Sequence, residues 1–188
     1  MSDVSNVSAG KPAVGGAVFV APKGTTLPTD AVSSLNELFK RLGYAAEDGL
    51  TNSLSIESDK IKAWGGDTVL TVQTGFEDTH KITLIEVTSL DVLKTVFGSD
   101  NVSGTLADGI TINVNNAEKE ELSWVFDMIL RNGNLKRIVI PAATVTEIGE
   151  IAYKDNEAIS YPLTLTATAD SAGNTHYEYI KQKATSNS

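Results

Sequence analysis

Leu122-Ser123-Trp124-Val125-Phe126-Asp127-Met128-Ile129-Leu130, followed by Arg131-Asn132-Gly133-Asn134 and then Leu135-Lys136-Arg137-Ile138-Val139-Ile140, decides how the rest of the chain is read. Leu122, Trp124, Phe126, Met128 and Leu130 are all large and apolar. A spacing of two puts them on one face of a strand, whereas a helix would scatter them around its axis. The Asn-Gly dipeptide at 132–133 favours a tight turn, so Leu135 to Ile140 is predicted to return antiparallel. Trp124, Phe126 and Met128 are therefore expected in the core.

The pattern continues outward in both directions. Toward the C-terminus, strands are predicted at 144–153, 158–169 and 176–181, separated by Asp155-Asn156-Glu157 and Ala172-Gly173-Asn174. Toward the N-terminus, Gly104 and Asp108-Gly109 flank a short strand pair ending in Ile110 to Val114. Before it, Ser89 opens a predicted helix in which Leu90, Leu93, Val96 and Phe97 share a face and Gly98 takes a left-handed C-cap position. Val69–Val72 and Ile82–Val87 read as two strands joined across Gly75-Phe76-Glu77-Asp78. Ser53–Trp64 alternates as another strand and Gly65-Gly66 marks a turn. Leu35, Leu38, Phe39 and Leu42 fall at helical spacing, with Thr29 or Asp30 as cap and Gly43 as terminator. A first strand is placed at Val14–Ala21.

The sum is nine or ten short strands with one or two flanking helices, which predicts a mainly β fold, a sandwich or barrel with a helix packed on it. A chain of 188 residues suits one domain over 1–188. The polar, aperiodic ends, 1–12 and 181–188, are expected to be flexible arms.

Composition narrows the function. The chain has no cysteine, which removes disulfides and thiolate chemistry. Its formal net charge is -9, and a surface of that sign repels nucleic acid. No apolar run is long enough to span a bilayer, and the N-terminal residues lack signal-peptide character, so no membrane partner and a cytoplasmic site of folding are expected.

Catalytic and ligand-binding patterns are weak. His80 and His176, the two histidines, are far apart in sequence and read as surface residues, so no metal site is expected. The glycines form neither a dinucleotide fingerprint nor a phosphate loop, so no cofactor is expected. Glu118, Glu120 and Glu121, with Asp127 nearby, read as a charged face rather than an acid–base pair. Glu77, Asp78, Asp100 and Asp108 lie in or beside predicted turns. No catalytic residue is assigned, and the chain reads as a non-enzyme.

Longer motifs carry a resemblance. The run Val14-Gly15-Gly16-Ala17-Val18-Phe19-Val20-Ala21-Pro22-Lys23-Gly24-Thr25-Thr26-Leu27-Pro28-Thr29-Asp30 continues through Leu42-Gly43-Tyr44 to Glu47-Asp48-Gly49-Leu50. Lys62-Ala63-Trp64-Gly65-Gly66 and Asp91–Gly98 follow in order. This succession resembles the major tail proteins, or tail tube proteins, of phages with long non-contractile tails. The resemblance implies a structural subunit, with six copies closing into a ring and rings stacking into a virion tail tube that conducts DNA without binding it specifically. It also implies assembly in the host bacterial cytoplasm and contacts with tape measure, tail terminator and distal tail proteins.

In that setting Leu50, Leu54, Ile56, Trp64, Gly65 and Gly66 are candidate inter-subunit or inter-ring contacts. The apolar members have the alternative of closing the subunit's own core. A tube subunit of a related injection or secretion machine and a monomeric β-sandwich binding module are the competing readings.

Overall fold

The computed structural model describes residues 2–13 and 16–183. Its elements are β1 (Gly10–Pro12), β2 (Val18–Pro22), β3 (Lys40–Arg41), β4 (Ala45–Lys62), β5 (Thr68–Leu84), α1 (Leu90–Phe97), β6 (Val102–Thr105), β7 (Gly109–Ile112), β8 (Leu122–Leu130), β9 (Leu135–Ile148), β10 (Tyr161–Ala167) and β11 (Tyr177–Lys181). Among the described residues no helix is long and apolar enough to cross a membrane.

The hairpin read from the sequence is the middle of the molecule. β8 pairs antiparallel with β9 from Leu122↔Ala143 to Ile129↔Leu135, around a turn in which Gly133 has φ 83°. From there the sheet runs β3-β2-β8-β9-β10-β5-β4, with β1 beside β8 and β11 beside β9. β3 and β4 end this path on opposite sides, yet only Leu42-Gly43-Tyr44 separates them in the chain. So short a link requires the sheet to curl until its ends meet, as in a barrel or a folded-over sandwich. Gly43 (φ 73°) makes the corner, and Tyr44 holds it by donating its N–H to the Glu86 carboxylate (2.9 Å) and accepting the Ile85 N–H (3.2 Å).

The main core fills the curl. Trp124 and Phe126 of β8, Ile138 and Ile140 of β9, Leu163 and Leu165 of β10 and Ile82 and Leu84 of β5 pack with Val92, Leu93 and Val96 of α1. Each such aliphatic side chain contributes about 1.5–3 kcal/mol through burial. On the opposite face Val125, Val139 and Ala21 are covered by Leu27, Leu35 and Phe39 from the segment between β2 and β3. Arg137 pins this cover. Its guanidinium grips Asp127 at 2.6 and 2.9 Å and donates to the backbone oxygens of Asp30 (3.1 Å) and Ser33 (2.9 Å).

Several expectations are corrected. Residues 35–42 form no helix. Leu42 enters the main core, Leu35 and Phe39 cap the opposite face and Leu38 is exposed, so the four apolar residues serve different surfaces. The Asp30 side chain does accept the N–H groups of Val32 and Ser33, as a cap would, but the chain then bends away. No turn forms at 75–78, because β5 runs unbroken through it. Gly75 lies beside a bulge at Glu57/Ser58, and a Cβ there would come within 3.1 Å of the Glu57 carboxylate, so glycine serves close approach rather than reversal.

The strands predicted at 135–140 and 144–153 belong to one strand, β9, which ends at Ile148, so 149–153 are not strand. Pro141 is accommodated where the β8 register shifts between Leu122 and Trp124, so its missing N–H breaks no regular pair. Gly98 closes α1 at positive φ (100°), as a glycine can, but its ψ of 143° lies outside the left-handed helical region. Within the predicted N-terminal arm, Gly10–Pro12 is a strand paired with Met128–Leu130. Val14 and Gly15 of the predicted first strand, and residues 184–188 of the predicted C-terminal tail, lie outside the described residues.

Candidate functional site

β4 and β5 form a hairpin that outgrows the body. Their pairing starts at Ala45↔Leu84 and runs to Lys62↔Thr68, and Gly66 (φ 92°) makes the tip turn. Every residue from 51 to 74 is exposed. At about 3.3 Å per residue, the ten residues from Ser53 to Lys62 carry the arm about 33 Å outward. The reason lies in its composition. Between Leu50 and Trp64 the sequence offers Ser, Thr, Asn, Glu, Asp and Lys with apolar residues only at Leu54, Ile56, Ile61 and Ala63, too few to build a face the body would cover.

Those apolar residues face solvent. Leu54 is 54% exposed, Ile56 63% and Trp64 104%, and Val69, Leu70, Val72 and Phe76 on β5 are exposed as well. The six candidate contact residues thus separate. Leu50 packs against the main core at the arm's root, Leu54 and Ile56 lie along the shaft, and Trp64, Gly65 and Gly66 lie at the tip. Backbone hydrogen bonding holds the tip, with Ala63 donating to Asp67 and Gly66 to Ala63.

The arm is rooted in a buried polar cluster. Asp78 and His80, two apart on β5, point to the same side of the sheet and are fully buried, and His176 reaches them from the residue before β11. The Asp78 carboxylate accepts from Asn52 Nδ2 (2.7 Å), Thr175 Oγ1 (2.7 Å) and His176 Nδ1 (2.6 Å). Asn52 Nδ2 also lies 3.0 Å from His80 Nε2, and the two imidazoles meet edge to face at 5.2 Å. Burial alone raises the Asp78 carboxyl, but the hydrogen bonds from Thr175, His176 and Asn52 outweigh it and hold the group below its ordinary value. Burial is also the leading influence on His80, and it pushes that imidazole down against the pull of Asp78.

The reading of His80 as a surface residue is therefore corrected, as is the placement of Asp78 at a turn, while His176 is half-buried beside them. A partner 98 residues away in sequence left no local signal. One trace existed: Asp78 and His80 share a strand face by the period of two.

The acidic run behaves as a charged surface. Glu121 pairs with Lys23, which lowers its carboxyl, Glu120 accepts from Ser99, and Asp127 belongs to the Arg137 pair on the sheet.

A long solvent-facing arm on a curled, open-edged β body is compatible with assembly, and the family comparison points the same way. The model of the phage tail tube protein family matches residues 5–188. The chain belongs to that family. As a tail tube protein it is a structural component of the virion tail, from a family that assembles with itself and with other tail proteins. No curated protein matches the chain.

Proposed function

We propose that this tail tube protein builds the tube of a long, non-contractile phage tail, with six subunits closing a ring and rings stacking through the β4–β5 arm into a conduit for DNA ejection. The exposed apolar arm carries this reading. Leu54, Ile56, Trp64 and the Gly65-Gly66 tip are the contacts that the next subunit covers, with Leu50 as the hinge between arm and core. A second copy of this chain is the fitting occupant, because the family self-assembles and each copy supplies the same arm and the same open sheet edge on β4. Burying the arm's aliphatic side chains offsets the entropy of ordering it. A net charge of -9 keeps passing DNA from being trapped by counterion release. Assembly in the host bacterial cytoplasm and docking to tape measure, terminator and distal tail proteins complete the proposal.

Electron microscopy tests it. The intact protein at high concentration is expected to give six-membered rings and tubes. A variant with residues 55–77 replaced by Asn-Gly closes the hairpin at the Leu54–Asp78 pair and is expected to keep the circular-dichroism spectrum while losing tubes. Tubes formed by the shortened variant would sink the stacking role. Rings of a different subunit number would sink the sixfold one.

A further inference from the structure

We propose that Asp78, His80 and His176 form a binding site for one divalent transition-metal ion of the zinc class, clamping the segment before β11 to the root of the β4–β5 arm. The inference is independent of tube geometry.

Two features carry it. The first is convergence. One carboxylate and two imidazoles place ligand atoms within 4.8 Å of one another. Tetrahedral zinc with bonds of about 2.0–2.1 Å sets neighbouring ligand atoms about 3.3 Å apart. The distances present, 2.6 Å from His176 Nδ1 to Asp78 Oδ2 and 3.6 Å from His80 Nδ1 to Asp78 Oδ1, lie on either side of that value.

The second is an unanswered atom. His80 Nδ1 is completely buried and has no hydrogen-bond partner among the described residues, although it is aimed toward Asp78. An orphaned polar nitrogen in the interior is destabilising until something answers it. Asp78, itself fully buried, has imidazoles and neutral donors around it and no lysine or arginine in its ion pairs. A cation bonded to His80 Nδ1, His176 Nδ1 and Asp78 answers both deficits. Thr175 Oγ1 or water is left for the fourth position.

The tautomers define what binding changes. Asn52 Nδ2 is a donor, so His80 Nε2 accepts and the neutral ring carries its proton on Nδ1. His176 Nδ1 donates its proton to Asp78. On binding, His176 releases its Nδ1 proton and takes one on Nε2, while His80 moves its own proton from Nδ1 to Nε2. The new His80 Nε2–H then opposes the Asn52 amide, which must swing away. Asn52 lies on the exposed stretch of β4 and has room to do so. A carboxylate at position 52 would instead accept that Nε2–H, the arrangement that strengthens metal-bound histidines by about ten- to a hundredfold.

The test uses the tag-free full chain, stripped with a chelator, and Zn2+ as probe in calorimetric titration and thermal melts. Expected are one equivalent of zinc, a melting temperature that climbs with zinc, and a Co2+-substituted form with tetrahedral visible bands. His176→Ala is expected to weaken binding at least tenfold and abolish the cobalt bands, while Asn52→Asp tightens zinc. If His176→Ala does not fold, His176→Phe keeps a ring against His80 and serves in its place. Failure of the wild-type chain to bind zinc saturably at millimolar concentration overturns the proposal. So does stoichiometric binding unchanged by the His176 substitution, or zinc affinity reduced by Asn52→Asp.

Discussion

Two hairpins of this molecule have the same plan and opposite fates. β8–β9 and β4–β5 are both long antiparallel pairs closed by a glycine-containing turn, with Gly133 and Gly66 at positive φ. β8 is buried on both faces along its middle, with Trp124 and Phe126 in one core and Val125 against the other. The outer part of β4 is buried on neither face. The difference is side-chain volume. Every second residue of β8 is large, whereas β4 alternates a few aliphatics with serines and charges. One hairpin therefore makes the core of the subunit, and the other stands outside it.

The tryptophans give the widest separation. Trp124→Ala empties a fully buried site and is expected to cost about 3–5 kcal/mol in urea unfolding of the unassembled chain. Trp64→Ala, at the bare tip, is expected to change that stability by less than about 0.5 kcal/mol while impairing tube formation. Equal costs would erase the distinction between the hairpins.

Next comes the clamp on the outer face of β8–β9. Arg137→Ala strands Asp127 and releases the backbone oxygens of Asp30 and Ser33, at a cost of about 3 kcal/mol. Proteolysis within residues 23–39 is expected to accelerate in step. If the protein is destabilised but this segment stays protected, Leu27, Leu35 and Phe39 hold the cover without Arg137.

Along the arm, Leu54→Ser and Ile56→Ser are expected to leave unfolding of the free subunit within about 0.5 kcal/mol of the parent. Each removes roughly 1.5–3 kcal/mol of interface burial, so the concentration needed for assembly is expected to rise about tenfold or more. Light scattering across a dilution series measures it. An unchanged threshold for both variants would move the contact elsewhere.

The two hairpins also mark what was legible in the sequence. β8 was read to the residue, because periodicity, bulk and the Asn-Gly turn agreed. α1 was legible too, since its apolar face and flanking Ser89 and Gly98 pointed the same way. Misreadings arose where one residue type has two uses. Gly75 looked like a turn and is a point of close approach, and the strands at 135–140 and 144–153 looked separate although β9 runs through Pro141 at a register shift. Leu35, Phe39 and Leu42 had helical spacing, yet the first two pack on one side of the sheet and the third on the other. The tip residues were picked out as contacts, but nothing in their spacing showed that the arm leaves the body. The buried Asp78–His80–His176 cluster stayed hidden because its third member arrives through tertiary folding from the far end of the chain.

Acid offers the gentlest way to separate the covered body from the bare arm. The Asp30 carboxyl is held below its ordinary value, chiefly by the backbone N–H of Ser33 and then by that of Val32. The folded state therefore releases this proton more readily than the unfolded chain. The resulting stabilisation is complete above the unfolded value near 3.8 and is lost as pH falls through the lower folded value. Asp170, lowered first by the Tyr177 hydroxyl and next by the Asn174 N–H, acts with the same sign. Both carboxylates are at the surface, so a modest slope is expected. Asp30→Asn keeps an acceptor for the two N–H groups but removes the titration. Between about pH 6 and about pH 3, its urea midpoint is expected to fall less than that of the parent chain. Because Asp30 belongs to the segment that Arg137 ties over β8 and β9, protease cleavage within 23–39 is the local readout. If cleavage there rises equally in both proteins on acidification, protonation elsewhere loosens the cover and Asp30 is only a bystander.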